Sequence, residues 1–121
     1  MTEAVDHRVL AALSQATGDD PAFLAELIDT FLRDTPALLE TLRGALDEAD
    51  AQQLRRAAHT LKSNGRVFGA TTLAELCQQL EAIVKKETLA QAEDGYLRAA
   101  ELLGRIEGEY ASVERALQEI T

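Results

Sequence analysis

The chemistry this sequence can offer centres on one histidine. Lys62 and Ser63 lie three and four positions after His59, Arg66 lies three after Ser63, and Arg55 stands four before the histidine, so all five share one face of a helix. In a chain of net charge −9 they form a local basic strip with an imidazole at its centre. A neutral imidazole is a nucleophile near neutral pH. On the next predicted helix, Gln78 and Glu81 lie three residues apart and share a face. In an antiparallel hairpin turning near Ala70, residues equidistant from the turn sit at the same height, which sets His59 level with Glu81 and Lys62 level with Gln78. A carboxylate that accepts the Nδ1 proton fixes the ring in one tautomer, with the Nε2 lone pair facing outward. Lys62, one turn on, neutralises anionic oxygens on whatever Nε2 attacks, and the small Ser63 leaves the ring uncovered. An orienter, a nucleophile and a charge clamp are the parts that covalent group transfer needs. The arrangement carries a cost, because a nearby carboxylate also favours the imidazolium, which cannot attack.

The elements that must position these residues are all helical. Ala and Leu dominate the composition and only 2 Pro and 7 Gly interrupt it, a bias toward helix because Ala and Leu lose little entropy there. Five helices are expected, over 7–17, 21–47, 51–68, 72–86 and 89–119. The first starts after Asp6 and carries Val9, Leu10 and Leu13. The second starts with Asp20 before Pro21, since proline loses nothing at the first helical position. Its apolar stripe keeps a seven-residue phase through Leu24, Phe31 and Leu38 across Pro36, which predicts one kinked helix rather than two. Asp50 with Gln53 reads as a capping box for the third helix, and Gly69 as its stop. Thr72 with Glu75 reads as the box that opens the fourth, and Thr88 with Gln91 as the box that opens the fifth. The fifth repeats apolar residues in heptads from Leu89 and Ala92 to Leu117 and Ile120, with Gly104 and Gly108 marking a kink. Heptads of this kind pack helices at roughly 20°. The fold expected is all-α: an antiparallel up-and-down four-helix bundle with an additional short N-terminal helix, in a single domain over 1–121.

At this point a resemblance becomes specific. Ala58-His59-Thr60-Leu61-Lys62-Ser63, then Phe68-Gly69-Ala70, then Leu73, Leu76, Cys77, Leu80 and Glu81 resemble the histidine-containing phosphotransfer (HPt) domains of two-component phosphorelays. His-x-x-Lys alone is a weak pattern. The glycine ten residues after the histidine and the Leu-Cys-x-x-Leu-Glu stretch make it strong. The resemblance implies a phosphocarrier, not an enzyme with its own nucleotide site. His59 would accept a phosphoryl group on Nε2 from a receiver aspartyl phosphate or a sensor histidine kinase and pass it to a response-regulator receiver, which supplies the Mg²⁺. Lys62 matches the lysine beside the phosphoryl group, Ser63 stands where many members have glycine, Glu81 occupies the position of the residue bonded to Nδ1, and Gln78 falls where another polar residue often lines the site. Leu10, Leu13 and Phe23 are candidates for an exposed apolar patch facing a receiver.

Other features set the alternatives and exclusions. The excess of acids over bases, 21 against 12, argues against nucleic acid or an anionic membrane as partner. No apolar run is long enough to cross a bilayer, Met1-Thr2-Glu3-Ala4 opens no signal peptide, and a single cysteine suits a reducing cytoplasm. The opening Met1 fits a free-standing protein, and the same chain fits a domain excised from a hybrid or chemotaxis kinase. No metal site and no cofactor of the chain's own is expected. Cys77 reads as a core thiol, and Arg55, Arg56 and Arg66 as solvated charges that at most steer a receiver. A Walker loop, a Gly-x-Gly fingerprint and a His-Glu-x-x-His helix are all missing from the sequence. Two other readings compete: a receiver- or kinase-docking module without chemistry, and a structural bundle that dimerises through its long last helix. A monomer is expected on the first reading.

Overall fold

The computed structural model describes residues 3–86 and 93–121, and at residues 85, 86, 93 and 94 it describes the backbone alone. Among the described residues there are five helices and no strand: α1 His7–Ala16, α2 Pro21–Asp47, α3 Ala51–Val67, α4 Thr71–Lys86 and α5 Glu93–Gln118. The expected opening of the last helix, with the Thr88–Gln91 box, Leu89 and Ala92, lies outside the described residues, as do Met1 and Thr2. Helices α2 to α5 make the antiparallel bundle and α1 lies against α2 and α3. None of the described helices is long and apolar enough to cross a membrane.

Three N-caps follow directly from side-chain chemistry. Asp6 accepts from the Arg8 amide at 2.9 Å, Asp20 from the amides of Ala22 and Phe23 at 3.0 and 3.3 Å, and Asp50 from the Gln53 amide at 3.1 Å. Each satisfies a donor that the first helical turn leaves free. The Asp50 box is half formed, because the Asp50 amide donates to the Ala45 carbonyl and not to Gln53. The Thr72–Glu75 box does not form. Helix α4 begins one residue earlier, at Thr71, with the fully buried Ala70 accepting from the Ala74 amide. Gly69 explains the difference: its φ of +75° reverses the chain so tightly that no residue is left over for a separate cap.

Helix α2 runs unbroken through Pro36. Proline has no N–H for the Leu32 carbonyl four residues back, and a buried carbonyl needs a donor. Tyr110 on α5 supplies one, its hydroxyl lying 3.3 Å from the Leu32 oxygen. The same ring meets Phe31 edge-on at 6.1 Å, and Phe31 stacks obliquely on Phe68 at 4.9 Å. These three aromatics tie α2, α5 and the end of α3 together. Arg43 on α2 is ion-paired to Glu107 on α5.

The core is otherwise aliphatic. Ile28, Leu42, Leu54, Leu61, Leu73, Leu80, Leu103, Ile106, Val113 and Leu117 are all essentially inaccessible. The middle of the α5 heptad stripe, Ala99, Leu103, Ile106, Tyr110, Val113 and Leu117, is buried within its own bundle. Tyr96 and Leu97 near its start, and Ile120 just past its end, are exposed. Gly104 and Gly108 do not interrupt α5; both lie on its exposed side, with open space where a Cβ would be. Leu10, a candidate for an exposed patch, is buried in the core, Leu13 is half-buried, and Phe23 is exposed.

Candidate functional site

The site sits on the α3–α4 hairpin, whose mutual contact is the most extensive in the molecule. Leu54, Ala58, Leu61 and Gly65 on α3 face Leu73, Cys77, Leu80 and Val84 on α4, and burial of these stripes turns the polar edges of both helices outward together. Gly69 fixes the register. Its carbonyl accepts from the Asp6 amide at 2.8 Å, and a Cβ added there would lie 2.7 Å from the Asp6 oxygen. Only glycine permits both the turn and this close approach of the N-terminal segment.

On that hairpin His59 is exposed, with 63% of its side chain accessible, and its Nδ1 lies 3.4 Å from Glu81 Oε2. The pairing read from turn placement is the one seen. Glu81 is only 19% exposed, and its second oxygen, Oε1, lies 2.8 Å from Lys62 Nζ. That oxygen is shut off from solvent and the approach lacks hydrogen-bond angles, so the contact is an ion pair. Lys62 is itself 13% exposed. The Lys62 ammonium thus pairs with Glu81 rather than with Gln78. Gln78 instead accepts from Arg66 Nη2 at 2.9 Å. The sequence signal for these partners lies in length: lysine and arginine reach about a helical turn along the neighbouring helix, so equal height does not select their partner. Ser63 is exposed on the same face as the ring.

Beside the imidazole lies a shallow hollow of about 260 Å³, walled by Gln52, Arg55, Arg56, His59, Thr60 and Glu81. Beneath the site Cys77 is fully buried, and burial, reinforced by the Glu81 charge and opposed by that of Lys62, pushes its thiol up to about 12. It is a packed, neutral side chain and not a nucleophile. No cluster of three or more His, Cys, Asp and Glu able to hold a metal occurs among the described residues.

Chemically, the arrangement presents one open nucleophilic nitrogen, Nε2, on a ring held from behind by a carboxylate that is itself held by an ammonium. Nothing encloses the reacting position, so a co-reactant must bring its own binding surface.

Comparison with known proteins points to one family. The family model described as the Hpt domain matches residues 26–119. Among solved structures, the chain is similar to the crystal structure of histidine-containing phosphotransfer protein B (HptB) from Pseudomonas aeruginosa PAO1, with 33% identity and a TM-score of 0.83 over 98% of this chain and 95% of that one. It is similar in fold to the HPT domain of an Hpt sensor hybrid histidine kinase from Shewanella, with 20% identity and a TM-score of 0.60 over 89% of this chain and 92% of that one. No curated protein matches the chain significantly.

Proposed function

The chain belongs to the Hpt domain family, and on that premise we propose that it is a phosphocarrier whose acceptor is Nε2 of His59. The donor is a receiver aspartyl phosphate or a sensor histidine kinase, and the acceptor is the aspartate of a response-regulator receiver. The observation that carries the reading is an exposed imidazole whose Nδ1 is backed by Glu81, leaving Nε2 as the ring nitrogen without a partner among the described residues.

The Nε2 lone pair attacks phosphorus and forms the N–P bond. The P–O bond to the donor aspartate breaks, and its electrons leave with the carboxylate. The Nδ1 proton stays in place against Glu81 Oε2, which offsets the positive charge that the ring acquires. In the onward step a carboxylate oxygen of the acceptor aspartate attacks phosphorus, the N–P bond breaks with its electrons returning to Nε2, and the imidazole recovers its neutral form. Transition states of phosphoryl transfer are loose, so positioning and charge neutralisation supply most of the acceleration. Lys62 contributes its charge from its seat on Glu81, Ser63 leaves the path to Nε2 clear, and Gln78 with Arg66 forms the adjoining edge. Glu81 is the carboxylate of the site and is already ion-paired, a poor donor set for Mg²⁺, which takes oxygen ligands in near-octahedral geometry. We therefore assign the metal to the receiver partner.

The experiment is transfer from a phosphorylated receiver or kinase to the full chain and to its His59→Gln variant. Acid-labile, base-stable label is expected on the wild type and none on the variant. Label that persists in His59→Gln refutes the assignment. Inhibition of a partner that is indifferent to the same substitution identifies a docking module instead.

A further inference from the structure

We propose that Arg55 and Arg56 form a phosphoryl-binding wall for His59, meeting the oxygens of the transferred group from the hollow they share with the imidazole. The inference rests on the phosphocarrier reading above and assigns to it two residues whose types and spacing otherwise read as solvated charges.

Four cations of α3 lie within two turns of His59, and the structure divides them into two kinds. Lys62 is largely buried and held by Glu81 Oε1, and Arg66 is bonded to Gln78. Arg55 and Arg56 are exposed and have neither an ion pair nor a side-chain hydrogen bond among the described residues. They stand four and three positions before His59, one turn toward the helix N-terminus. Helical side chains lean in that direction, so the imidazole lies over the turn from which both guanidiniums project. All three side chains line the same hollow. Thr60, also on its wall, donates its hydroxyl to the Arg56 carbonyl at 3.1 Å, which leaves the two guanidiniums as the charged donors there.

Charge decides what those donors are for. A phosphoryl group adds roughly −2 beside the carboxylate of Glu81. The one ammonium at the site is already shared with Glu81, and the phosphorylated ring carries at most one positive charge. Together these leave the loaded site negative, and the rest of the protein, at net charge −9, does not offset it. Two guanidiniums within reach reverse that balance, and their planar fork matches phosphate oxygens in a way that an ammonium does not.

The test uses the full chain and phosphoramidate as donor. Its P–N bond breaks, ammonia leaves, and the N–P bond to His59 is followed by ³¹P NMR. Joint Arg55→Gln and Arg56→Gln substitution is expected to slow labelling about tenfold, the loss of charged hydrogen bonds discounted for exposure. Joint replacement by Lys is expected to restore part of the rate, because it keeps the charge and loses the fork. A charge-matched control, Arg33→Gln with Arg98→Gln, is expected to label at the wild-type rate. Wild-type labelling in the Arg55/Arg56 variant, or an equal loss in the control, overturns the proposal and leaves the phosphocarrier reading intact. Label that survives His59→Gln overturns that reading itself.

Discussion

Replacing Gly69 with alanine separates the two demands that this turn satisfies. Its φ of +75° lies in the left-handed region, which costs a residue with a Cβ about 1–2 kcal/mol. The new Cβ would also lie 2.7 Å from the Asp6 oxygen and 3.0 Å from the Asp6 nitrogen. Both are backbone atoms, so relief requires moving the N-terminal segment and loosening the 2.8 Å bond from the Asp6 amide to the Gly69 carbonyl, a loss of about 1 kcal/mol. The expected destabilisation is about 2–4 kcal/mol. Gly65, four residues earlier, is the internal control. It is helical, and its nearest neighbours would be 3.7 Å from an added Cβ, an ordinary contact. Gly65→Ala is therefore expected to stabilise by about 0.5–1 kcal/mol, the usual gain of alanine over glycine inside a helix. Urea unfolding read by circular dichroism gives both values, and amide exchange at Asp6 should accelerate in Gly69→Ala alone. Equal effects at the two glycines, or a loss below about 1 kcal/mol at Gly69, refute the account of how this turn holds α4 in register.

Three further outcomes follow from the core and the site. Tyr110→Phe removes the donor that serves the Leu32 carbonyl and should cost about 1 kcal/mol; in a Pro36→Ala background, where a backbone N–H can serve that oxygen, the cost should shrink, and a double-mutant cycle in urea measures the coupling. Lys62→Met leaves Glu81 Oε1 shut off from solvent with no counter-charge and should destabilise by about 1–2 kcal/mol, whereas Lys62→Met combined with Glu81→Gln should recover part of that loss in the same assay. Burial pushes both the Cys77 thiol and the Tyr110 phenol up to about 12, the latter reinforced by the charge of Glu114. Each group ionises first in the unfolded chain, so its stabilising contribution is complete below about pH 9 for the thiol and about pH 10 for the phenol, and is lost as pH rises toward 12. Stability measured from pH 8 to 11 should fall, with a shallower slope in Cys77→Ala and in Tyr110→Phe; an unchanged slope in both counts against neutral burial.

What the sequence made legible was whatever depends on periodicity and on positions near a turn. The core stripes of α3 and α4 are those that the apolar spacing marks, and the His59–Glu81 pairing follows from counting outward from Ala70. Long, flexible side chains escape that count. Lys62 bends to Glu81 and Arg66 to Gln78, because ion pairs and amide bonds decide where their ends rest, not the height of their Cα atoms. Leu10 escaped it for a different reason. A short amphipathic helix looks the same whether its apolar side waits for a partner or is already covered, and only the packing of α1 on the bundle shows that Leu10 is spent inside. The start of α4 depended on a backbone reversal at Gly69, whose tightness is set by the approach of Asp6 from more than sixty positions away.

Glu81 resolves the conflict that its own presence creates. A carboxylate behind an imidazole fixes the tautomer, yet it also favours the protonated ring, which has no lone pair to attack with. A neutral amide would avoid that bias, but it would give less support to the cationic ring that exists once phosphorus is bound. The two oxygens of Glu81 divide these demands. Oε2 faces Nδ1 at 3.4 Å, long for a hydrogen bond, so the resting ring is oriented without being tightly gripped. Oε1 is held at 2.8 Å by Lys62, whose ammonium draws negative charge away from the ring side and is itself too covered to leave easily. In the proposed transfer the carboxylate is already in place when the ring becomes cationic, and closing the 3.4 Å gap to a charged hydrogen bond takes about 0.6 Å. On the proposed reading Lys62 acts on His59 through Glu81, and the oxygens of an incoming phosphoryl group would meet their cations in the open part of the strip, where Arg55 and Arg56 stand.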